Sequence, residues 1–299
     1  MSSSAPLVAT LISNPEARAL SASLGSKASE AVKASGLYWL ADGIACDLAL
    51  PKDITIEQAK SELALIIGDE PVDIIVQPQE TRRKKLLLAD MDSTMIQQEC
   101  IDELAEEAGF RDQVAGITAR AMNGEIAFEP ALRERVALLK GLSFSVIDHV
   151  IANRITLMPG GTELVRTMKK HGAYTALVSG GFTAFTNVIA EMIGFDEHRA
   201  NTLLTHEGLL TGEVSDPILG REAKVERLES ITERLGISVA DAIAVGDGAN
   251  DLGMLQLAGS GVALHAKPSV AAQAEMVVDH GDLTALLYIQ GYRKTDFVK

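Results

Sequence analysis

Cysteine and basic residues are scarce in this chain. Only two of its 299 residues are cysteine, Cys46 and Cys100, and they form neither a metal-binding spacing nor a disulfide framework, so we expect a reducing, cytoplasmic location. The 27 basic residues are outnumbered by 41 acidic ones, which leaves a formal net charge of -14. Nucleic acid and anionic membranes both bind clustered Lys and Arg, so this balance argues against either as a partner. A small anionic ligand stays compatible with a locally positive site.

Long apolar runs are missing as well. No stretch reaches about 18 consecutive apolar residues, and residues 1 to 6 lack a cationic segment ahead of an apolar one. We therefore expect a chain that is neither exported nor membrane-spanning. The composition, 47% hydrophobic and 23% charged, is that of an ordinary globular protein whose length suits two domains.

Two carboxylates stand where a buried strand is predicted to end. The apolar run Leu86 to Ala89 precedes Asp90 and Asp92. Alternation along a strand can project both side chains to one side of its carboxyl edge, where open α/β sheets bind ligands. One carboxylate can then attack a substrate while the other moves a proton. An Asp-x-Asp pair on its own is more often a strand-to-loop cap.

Three further motifs follow along the chain. Ser179 and Gly180 lie at a turn between a predicted strand and a helix, Lys224 lies near a helix start, and Gly246 to Asp251 is a glycine-rich turn. Each of these features is common in proteins when it stands alone. Their order, and their positions at strand ends and helix starts, favour one catalytic site over unrelated turns.

Residues 1 to 80 are predicted to form a small domain. Strands and helices follow one another there as β-α-β-β-α-β, with a helix over about 16 to 34 and a turn at Asp42-Gly43 between two strands. This is the ferredoxin-like arrangement, which resembles the ACT modules attached to amino-acid enzymes. A dimerisation or packing role is favoured over a regulatory amino-acid site, because a fold alone does not set function. The charged run Glu80 to Lys85 is interpreted as a solvated linker.

Residues 86 to 299 are predicted to form an α/β core with an inserted helical cap. Strand signals stop after the first motif and return near 174, so helices fill the cap at about 96 to 157. The later strands, Thr175 to Ser179 and Ala242 to Val245, alternate with helices, which indicates a parallel sheet covered on both faces. A hairpin over Asn201 to Val214 is expected to decorate this sheet.

Arg135 is the most informative residue of the predicted cap. On a helix from about Phe128 to Leu139, its neighbours at i±3 and i±4 are apolar, so the guanidinium lies on an apolar stripe. An ion pair with Glu99 or Asp102 and a contact with a substrate carboxylate are both compatible with that position. Glu99 in turn can pair with a substrate ammonium group.

The four motifs resemble those of the haloacid dehalogenase superfamily, and within it those of the bacterial phosphoserine phosphatases that carry an extra N-terminal domain. The resemblance covers residues 86 to 299. It implies a Rossmann-like parallel sheet with a helical cap, and Mg²⁺-dependent hydrolysis of O-phosphoserine through an aspartyl-phosphate, the last step of serine biosynthesis. Asp90 would be the nucleophile, Asp92 the general acid and base, and Lys224 a cation over the phosphate.

The same resemblance implies the binding residues. The metal ligands would be Asp90, the main-chain carbonyl of Asp92, and Asp247, with Asp251 supporting them. The substrate would be bound at its phosphate by Ser179, Gly180, Lys224 and Asn250, and at its amine and carboxylate by Glu99 and Arg135.

Alternative functions stay open from the residues. A phosphatase or phosphotransferase acting on another small phosphomonoester needs the same motifs, and a non-catalytic serine sensor would use residues 1 to 80. A dehalogenase is disfavoured, because halide displacement needs neither a second acid two residues on nor a metal. The expected partners are phosphoserine and, for assembly, a second copy in a homodimer.

Overall fold

Two separate β-sheets and one hairpin organise the part of the chain that the structure describes. The computed structural model describes residues 5 to 122 and 125 to 299. The first sheet is four-stranded, the second is six-stranded, and a two-stranded hairpin stands apart from both. Among the helices of these described ranges, none combines the length and apolarity that crossing a bilayer requires.

The N-terminal sheet is antiparallel and carries two helices on one face. Its elements are β1 (Leu7–Ser13), α1 (Ala22–Ala31), β2 (Gly36–Ala41), β3 (Ala45–Ala49), α2 (Ile56–Ile67) and β4 (Val72–Pro78). The strand order β2-β3-β1-β4 is the predicted ferredoxin-like arrangement. Apolar side chains on one face of the sheet pack against α1 and α2, whereas Ile12 and Ile75 on the other face join the main core.

The first helix is shorter than the sequence predicts. It begins after Ser21, whose hydroxyl caps it by accepting from Leu24 N at 3.1 Å. The residues before it form a turn, in which Asn14 Oδ1 accepts from the N–H of residue 16 and Ser13 Oγ from the N–H of residue 19. The prediction of a helix from about residue 16 is therefore wrong at its start, because these side chains offer the backbone an alternative to helical bonds.

Residues beyond 86 alternate strands and helices around the six-stranded sheet. In chain order the elements are β5 (Leu86–Ala89), α3 (Cys100–Ala108), α4 (Arg111–Met122), α5 (Phe128–Ala137), α6 (Val146–Asn153), α7 (Gly161–Lys170), β6 (Tyr174–Phe182), α8 (Thr183–Ile193), β7 (Glu197–Asn201), β8 (Leu203–His206), β9 (Leu209–Val214), α9 (Arg221–Leu235), β10 (Ala242–Gly246), α10 (Leu252–Leu257), β11 (Ser260–Leu264), α11 (Pro268–Ala271), β12 (Met276–Val278) and α12 (Ala285–Ile289). The sheet order is β12-β11-β10-β5-β6-β7, and every neighbouring pair is parallel. Apolar clusters cover both faces, so the predicted α/β class is confirmed.

Strand β5 lies between β10 and β6 in the middle of this sheet. The carboxyl ends of the three strands therefore meet at one edge. Asp90 follows β5, Asp247 follows β10, and Ser179 lies in the last part of β6. The order of the strands thus brings together motifs that are far apart in the sequence.

Helices α3 to α6 form the predicted cap between β5 and β6. Their apolar faces are buried, and residues such as Leu104, Leu132 and Val150 join the main core. The hairpin of β8 and β9 is tied to this cap through backbone hydrogen bonds. Gly141 N donates to Leu210 O, Leu210 N donates to Leu142 O, and the N–H of residue 144 donates to the carbonyl of residue 208, each at 2.8 Å.

The segment that joins the two sheets is not a free linker. Arg82 forms an ion pair with Asp47 at 2.7 Å, and Lys84 is only 5% exposed, with its Nζ donating to Ala240 O at 2.8 Å. The interpretation of Glu80 to Lys85 as a solvated linker is therefore wrong for these two residues. Their charges are satisfied by groups that lie far away in the sequence, which the local pattern cannot show.

Candidate active site

Asp90 and Asp92 lie in a tight turn directly after β5. The N–H of Asp90 donates to Val245 O of β10 at 3.0 Å, so strand pairing continues up to the first carboxylate. The chain then reverses, because the N–H groups of residues 94, 95 and 96 all donate back to Met91 O at 3.2, 2.8 and 3.0 Å. Ser93 adopts a left-handed φ of 55°, which serves this reversal at a steric cost. Both carboxylates line one cavity.

Three carboxylates meet at one side of this cavity, and two of them, Asp90 and Asp247, lie on its wall. Oxygen atoms of Asp90, Asp247 and Asp251 lie within 4.8 Å of one another. Burial raises the pKa of Asp90 well above its usual range, and the charge of Asp251 adds to that shift. Burial likewise raises the pKa of Asp247 to about 6. Such crowding of negative charge calls for a cation.

The donor atoms of this cluster suit a divalent metal. Carboxylate oxygens are the hard ligands that Mg²⁺ and similar cations prefer, and three such groups offer oxygen atoms within 4.8 Å of one another. The residues present therefore fit a metal ion. The cluster includes Asp251, which the sequence assigned a supporting role, whereas the side chain of Asp92 lies outside it.

Lys224 is the cation that the chain itself supplies to the cluster. Its Nζ lies 2.6 Å from Asp90 Oδ1 and 2.6 Å from Asp251 Oδ1, and the side chain is only 2% exposed. Burial disfavours the charged ammonium, but the carboxylates of Asp251 and Asp90 outweigh that effect and raise the pKa of Lys224. The lysine is therefore held in its charged form. Asp251 is fixed further by the N–H of Gly248, which donates to its Oδ2 at 2.9 Å.

Asp92 is held apart from this cluster by its own hydrogen bonds. Its Oδ1 accepts from Cys100 N at 2.9 Å, and its Oδ2 accepts from Ser179 Oγ at 3.1 Å. Burial raises the pKa of Asp92, and these bonds partly oppose the shift. The two aspartates of the motif thus have different partners, Lys224 for Asp90 and two neutral donors for Asp92. Different partners allow different chemical roles.

Glycine is required at two positions because the site is crowded. A Cβ at Gly181 would lie 2.6 Å from Asp92 Oδ2, and a Cβ at Gly246 would lie 2.4 Å from Asp251 Cγ. Any side chain there would push a carboxylate out of place. The glycines of the second and fourth motifs therefore make room for the aspartates.

The cap forms the other wall of a cavity of about 730 Å³. Glu99 faces this space and accepts from Ser93 Oγ at 2.8 Å. Desolvation raises the pKa of Glu99 to about 7, and the charge of Asp92 adds to the shift. Arg135 also lines the cavity, and its guanidinium donates to Ala131 O at 3.2 Å and to Thr118 Oγ1 at 3.4 Å.

The guanidinium of Arg135 has no carboxylate partner within ion-pair distance in the described part of the chain. The ion pair with Glu99 or Asp102, one of the two alternatives from the sequence, does not form. Burial lowers the pKa of Arg135, while the charge of Asp102 opposes the shift. Asn250 lines the cavity as well, so the structure brings every predicted site residue except Lys224 and Asp251 to the cavity wall and places those two directly behind Asp90.

Sequence reasoning missed several residues of the site. Arg221 lines the cavity, three residues before Lys224 on α9, and the i, i+3 spacing on one helix could have indicated it. Lys267 lines it too, beyond the end of β11, a strand that the sequence analysis did not predict. Thr94 donates to Asp247 Oδ1 at 3.2 Å. Asn201, predicted only as the start of a hairpin, bonds directly to the second motif.

The chain is similar to known proteins along most of its length. The model of the haloacid dehalogenase-like hydrolase family matches residues 87–256. A phosphoserine phosphatase of Polaromonas sp. is 48% identical over 208 residues, which cover 68% of this chain and 88% of that protein. A phosphoserine phosphatase of Streptomyces coelicolor is 41% identical over 245 residues, which cover 81% of this chain but 60% of that longer protein.

A solved structure described as a phospho-aspartyl intermediate analogue of phosphoserine phosphatase is also similar. It superposes with a TM-score of 0.65 at 43% identity and covers 69% of this chain and 98% of its own. The chain therefore belongs to the haloacid dehalogenase-like hydrolase family, among relatives that are phosphoserine phosphatases.

Proposed function

We propose that this protein is a Mg²⁺-dependent phosphoserine phosphatase, which hydrolyses O-phosphoserine to serine and phosphate through an aspartyl-phosphate on Asp90. The observation that carries the proposal is the contact of buried Asp90 with Lys224 at 2.6 Å, inside a cluster of three carboxylates. The names of the relatives support the substrate, since two of them at 41% and 48% identity are phosphoserine phosphatases.

Charge neutralisation is the main requirement of this reaction. A phosphomonoester carries nearly two negative charges, and each pair of unit charges at 4 Å repels by about 4 kcal/mol at an effective dielectric of 20. Mg²⁺ held by Asp90, Asp247 and the main-chain carbonyl of Asp92 would offset this repulsion as a Lewis acid. The ammonium of Lys224 adds a second positive charge that belongs to the chain.

Asp90 attacks phosphorus with one carboxylate oxygen, and the bond from phosphorus to the serine oxygen breaks. Asp92 gives its proton to the departing alkoxide, and the raised pKa of its buried carboxyl suits that role. Asp92 then takes a proton from the water that attacks the aspartyl-phosphate, which releases phosphate and restores Asp90. Ser179 and Cys100 N hold Asp92 in place for both steps.

The remaining residues bind the substrate at its two ends. Gly180 and Asn250 lie at the phosphate end, where amide N–H and side-chain amide can bond the phosphoryl oxygens. Ser179 lies beside them, and its hydroxyl hydrogen is directed to Asp92. Glu99 and Arg135 lie on the cap wall and offer one negative and one positive group. A carboxylate for an ammonium and a guanidinium for a carboxylate together select a phosphorylated amino acid.

We also propose a cytoplasmic location, since both cysteines are free and buried and a reducing compartment keeps them so. The proposed binding partner is a small molecule, phosphoserine, and not another protein. The four-stranded N-terminal unit is proposed to serve packing or assembly into a homodimer.

The proposal is tested by phosphate release from purified protein with Mg²⁺ across phosphorylated amino acids, sugars and nucleotides. Phosphoserine should be the preferred substrate, and either Asp90→Asn or removal of the metal with EDTA should abolish turnover. Exposed Asp69→Asn makes the same chemical change away from the cavity and should leave activity intact. Substantial phosphate release by Asp90→Asn, or a preference for sugar or nucleotide phosphates, would overturn the proposed function.

A further inference from the structure

Strand β6 leaves regular pairing where it enters the active site. Its register with β7 shifts between Val178 and Phe182, so the residues between them have no ladder partner on that side. Backbone carbonyls that lose their partner in a sheet must find another donor. The carbonyl of Gly180 finds it in a side chain, because Asn201 Nδ2 donates to it at 2.8 Å.

The side chain of Asn201 is fully engaged. It is only 2% exposed, and its Oδ1 accepts from Leu219 N at 2.7 Å while its Nδ2 also donates to Leu219 O at 3.3 Å. Only one orientation of the Asn201 amide satisfies these partners. In it, Oδ1 faces the N–H of Leu219, and Nδ2 faces the carbonyls of Gly180 and Leu219. Leu219 therefore holds the amide in the orientation that bonds Gly180.

These contacts continue as far as the second aspartate. The carbonyl of Gly180 and the N–H of Gly181 belong to one rigid peptide plane. That N–H donates to Ser179 Oγ at 2.8 Å, and Ser179 Oγ donates to Asp92 Oδ2 at 3.1 Å. A rotation of the peptide would release the serine hydroxyl and with it one of the bonds that orient Asp92.

We propose that Asn201 is a positioning residue for the reaction, which orients the proton-transferring carboxylate of Asp92 through the Gly180–Gly181 peptide and Ser179. Asn201 touches neither substrate nor metal in this role. The inference rests on the proposed function, because it assigns Asn201 to the same phosphatase reaction. A purely structural residue at the bulge of β6 would affect folding but would not act through Ser179.

The test uses the full chain with Asn201→Ser, which is neutral, and Asn201→Asp, which matches the volume of the native side chain. Neither can donate to Gly180 as asparagine does. Loss of such a supporting bond should lower kcat for phosphoserine about 10- to 100-fold while KM changes less than about threefold, since Glu99 and Arg135 are untouched. The same substitutions at Asn187, which is exposed on α8, are the matched controls and should leave kcat unchanged.

A double-mutant cycle with Ser179→Ala decides whether the effect passes through Ser179. If it does, adding either Asn201 substitution to Ser179→Ala should lower kcat by no more than about a further threefold. Circular dichroism at the assay temperature identifies the variants that are folded. The test needs only one folded Asn201 variant. Losses that multiply in the double variant, or a kcat within about twofold of wild type in a folded single variant, would overturn the inference. An inactive wild-type enzyme would overturn the proposed function and this inference with it.

Discussion

The carboxyl groups of the site respond to pH near neutrality. Desolvation raises the pKa of Glu99 to about 7, and burial raises the pKa of Asp247 to about 6. The Glu99 carboxyl therefore exchanges protons in the range where ordinary carboxyls are fully ionised. The ability of Glu99 to attract a positive group therefore depends on pH.

Substrate binding should strengthen as pH rises. Between about pH 6 and about pH 8, Glu99 passes from mostly neutral to mostly ionised, and only the ionised form attracts the ammonium of phosphoserine. We expect KM for phosphoserine to fall over this range in the wild-type enzyme. Glu99→Gln should raise KM at the upper end about tenfold, the effect of losing one charged hydrogen bond, and should flatten its pH dependence.

Steady-state kinetics of both enzymes across the pH range provide the measurement. A substrate analogue that lacks the amine serves as the control, because its KM should be the same for wild type and Glu99→Gln. An unchanged pH dependence of KM in the variant would show that Glu99 does not bind the ammonium.

At the scale of secondary-structure elements, the hairpin of β8 and β9 supports the cap. Its backbone bonds to residues 141 to 144, and Gly212 of β9 packs against the end of α5 and the turn that follows it. A Cβ at Gly212 would lie 3.3 Å from Ala137 O at the end of α5 and 2.9 Å from Lys140 Cβ in that turn. Helix α5 carries Arg135. The position of a substrate-binding residue thus depends on a hairpin from another part of the chain.

Gly212→Ala should therefore cost more stability than Gly208→Ala. Both glycines adopt positive φ, 82° and 79°, so each alanine carries a strain of about 1–2 kcal/mol. Only the alanine at Gly212 would also collide with Lys140, in the turn after α5, which adds about 1–3 kcal/mol of overpacking, whereas a Cβ at Gly208 meets nothing within 4 Å.

Urea unfolding of both variants measures this difference, and KM for phosphoserine should rise in Gly212→Ala alone. Equal losses of stability in the two variants would mean that the hairpin is not closely packed against α5 and the turn after it.

At the scale of the whole molecule, a buried carboxylate of the N-terminal unit accepts hydrogen bonds from the six-stranded sheet's last loop and so joins the two parts. Asp73 of β4 is only 5% exposed, and its carboxylate accepts from the N–H groups of Asp279, His280 and Gly281, at 2.9, 3.1 and 2.8 Å. These three donors follow β12. The Asp73 side chain thus holds the loop after β12 against the N-terminal unit.

Asp73→Asn should weaken the whole fold while leaving catalysis intact. An amide offers one acceptor oxygen and turns an NH₂ group toward N–H donors, so we expect a loss of about 1–3 kcal/mol in the free energy of unfolding. Exposed Asp69→Asn, with the same chemical change, is the control and should be neutral within about 0.5 kcal/mol. Urea denaturation measures the loss, and kcat should match wild type at temperatures where the variant is folded. A stability equal to that of Asp69→Asn would contradict this role of Asp73.

The α/β class, the inserted cap and the sheet edge at which the motifs meet can all be predicted from the order of residues. These follow from local patterns, since apolar runs specify strands and alternation of strands with helices specifies a parallel sheet. A residue that stands at the end of a predicted strand, such as Asp90 or Asp247, could therefore be assigned to this edge from the order of residues alone. The turn before α1 was predicted wrongly because Ser13 and Asn14 bond the backbone locally in a way that periodicity does not report.

The contacts between individual side chains, in contrast, become visible only in the folded molecule. The contact of Lys224 with Asp90 and Asp251, the burial of Lys84, and the bond from Asn201 to Gly180 all join residues that are distant in the sequence. Hydrogen bonds and ion pairs of this kind depend on distances of about 3 Å and on orientation. Strand order and strand register set those distances, and no local pattern of residues contains them.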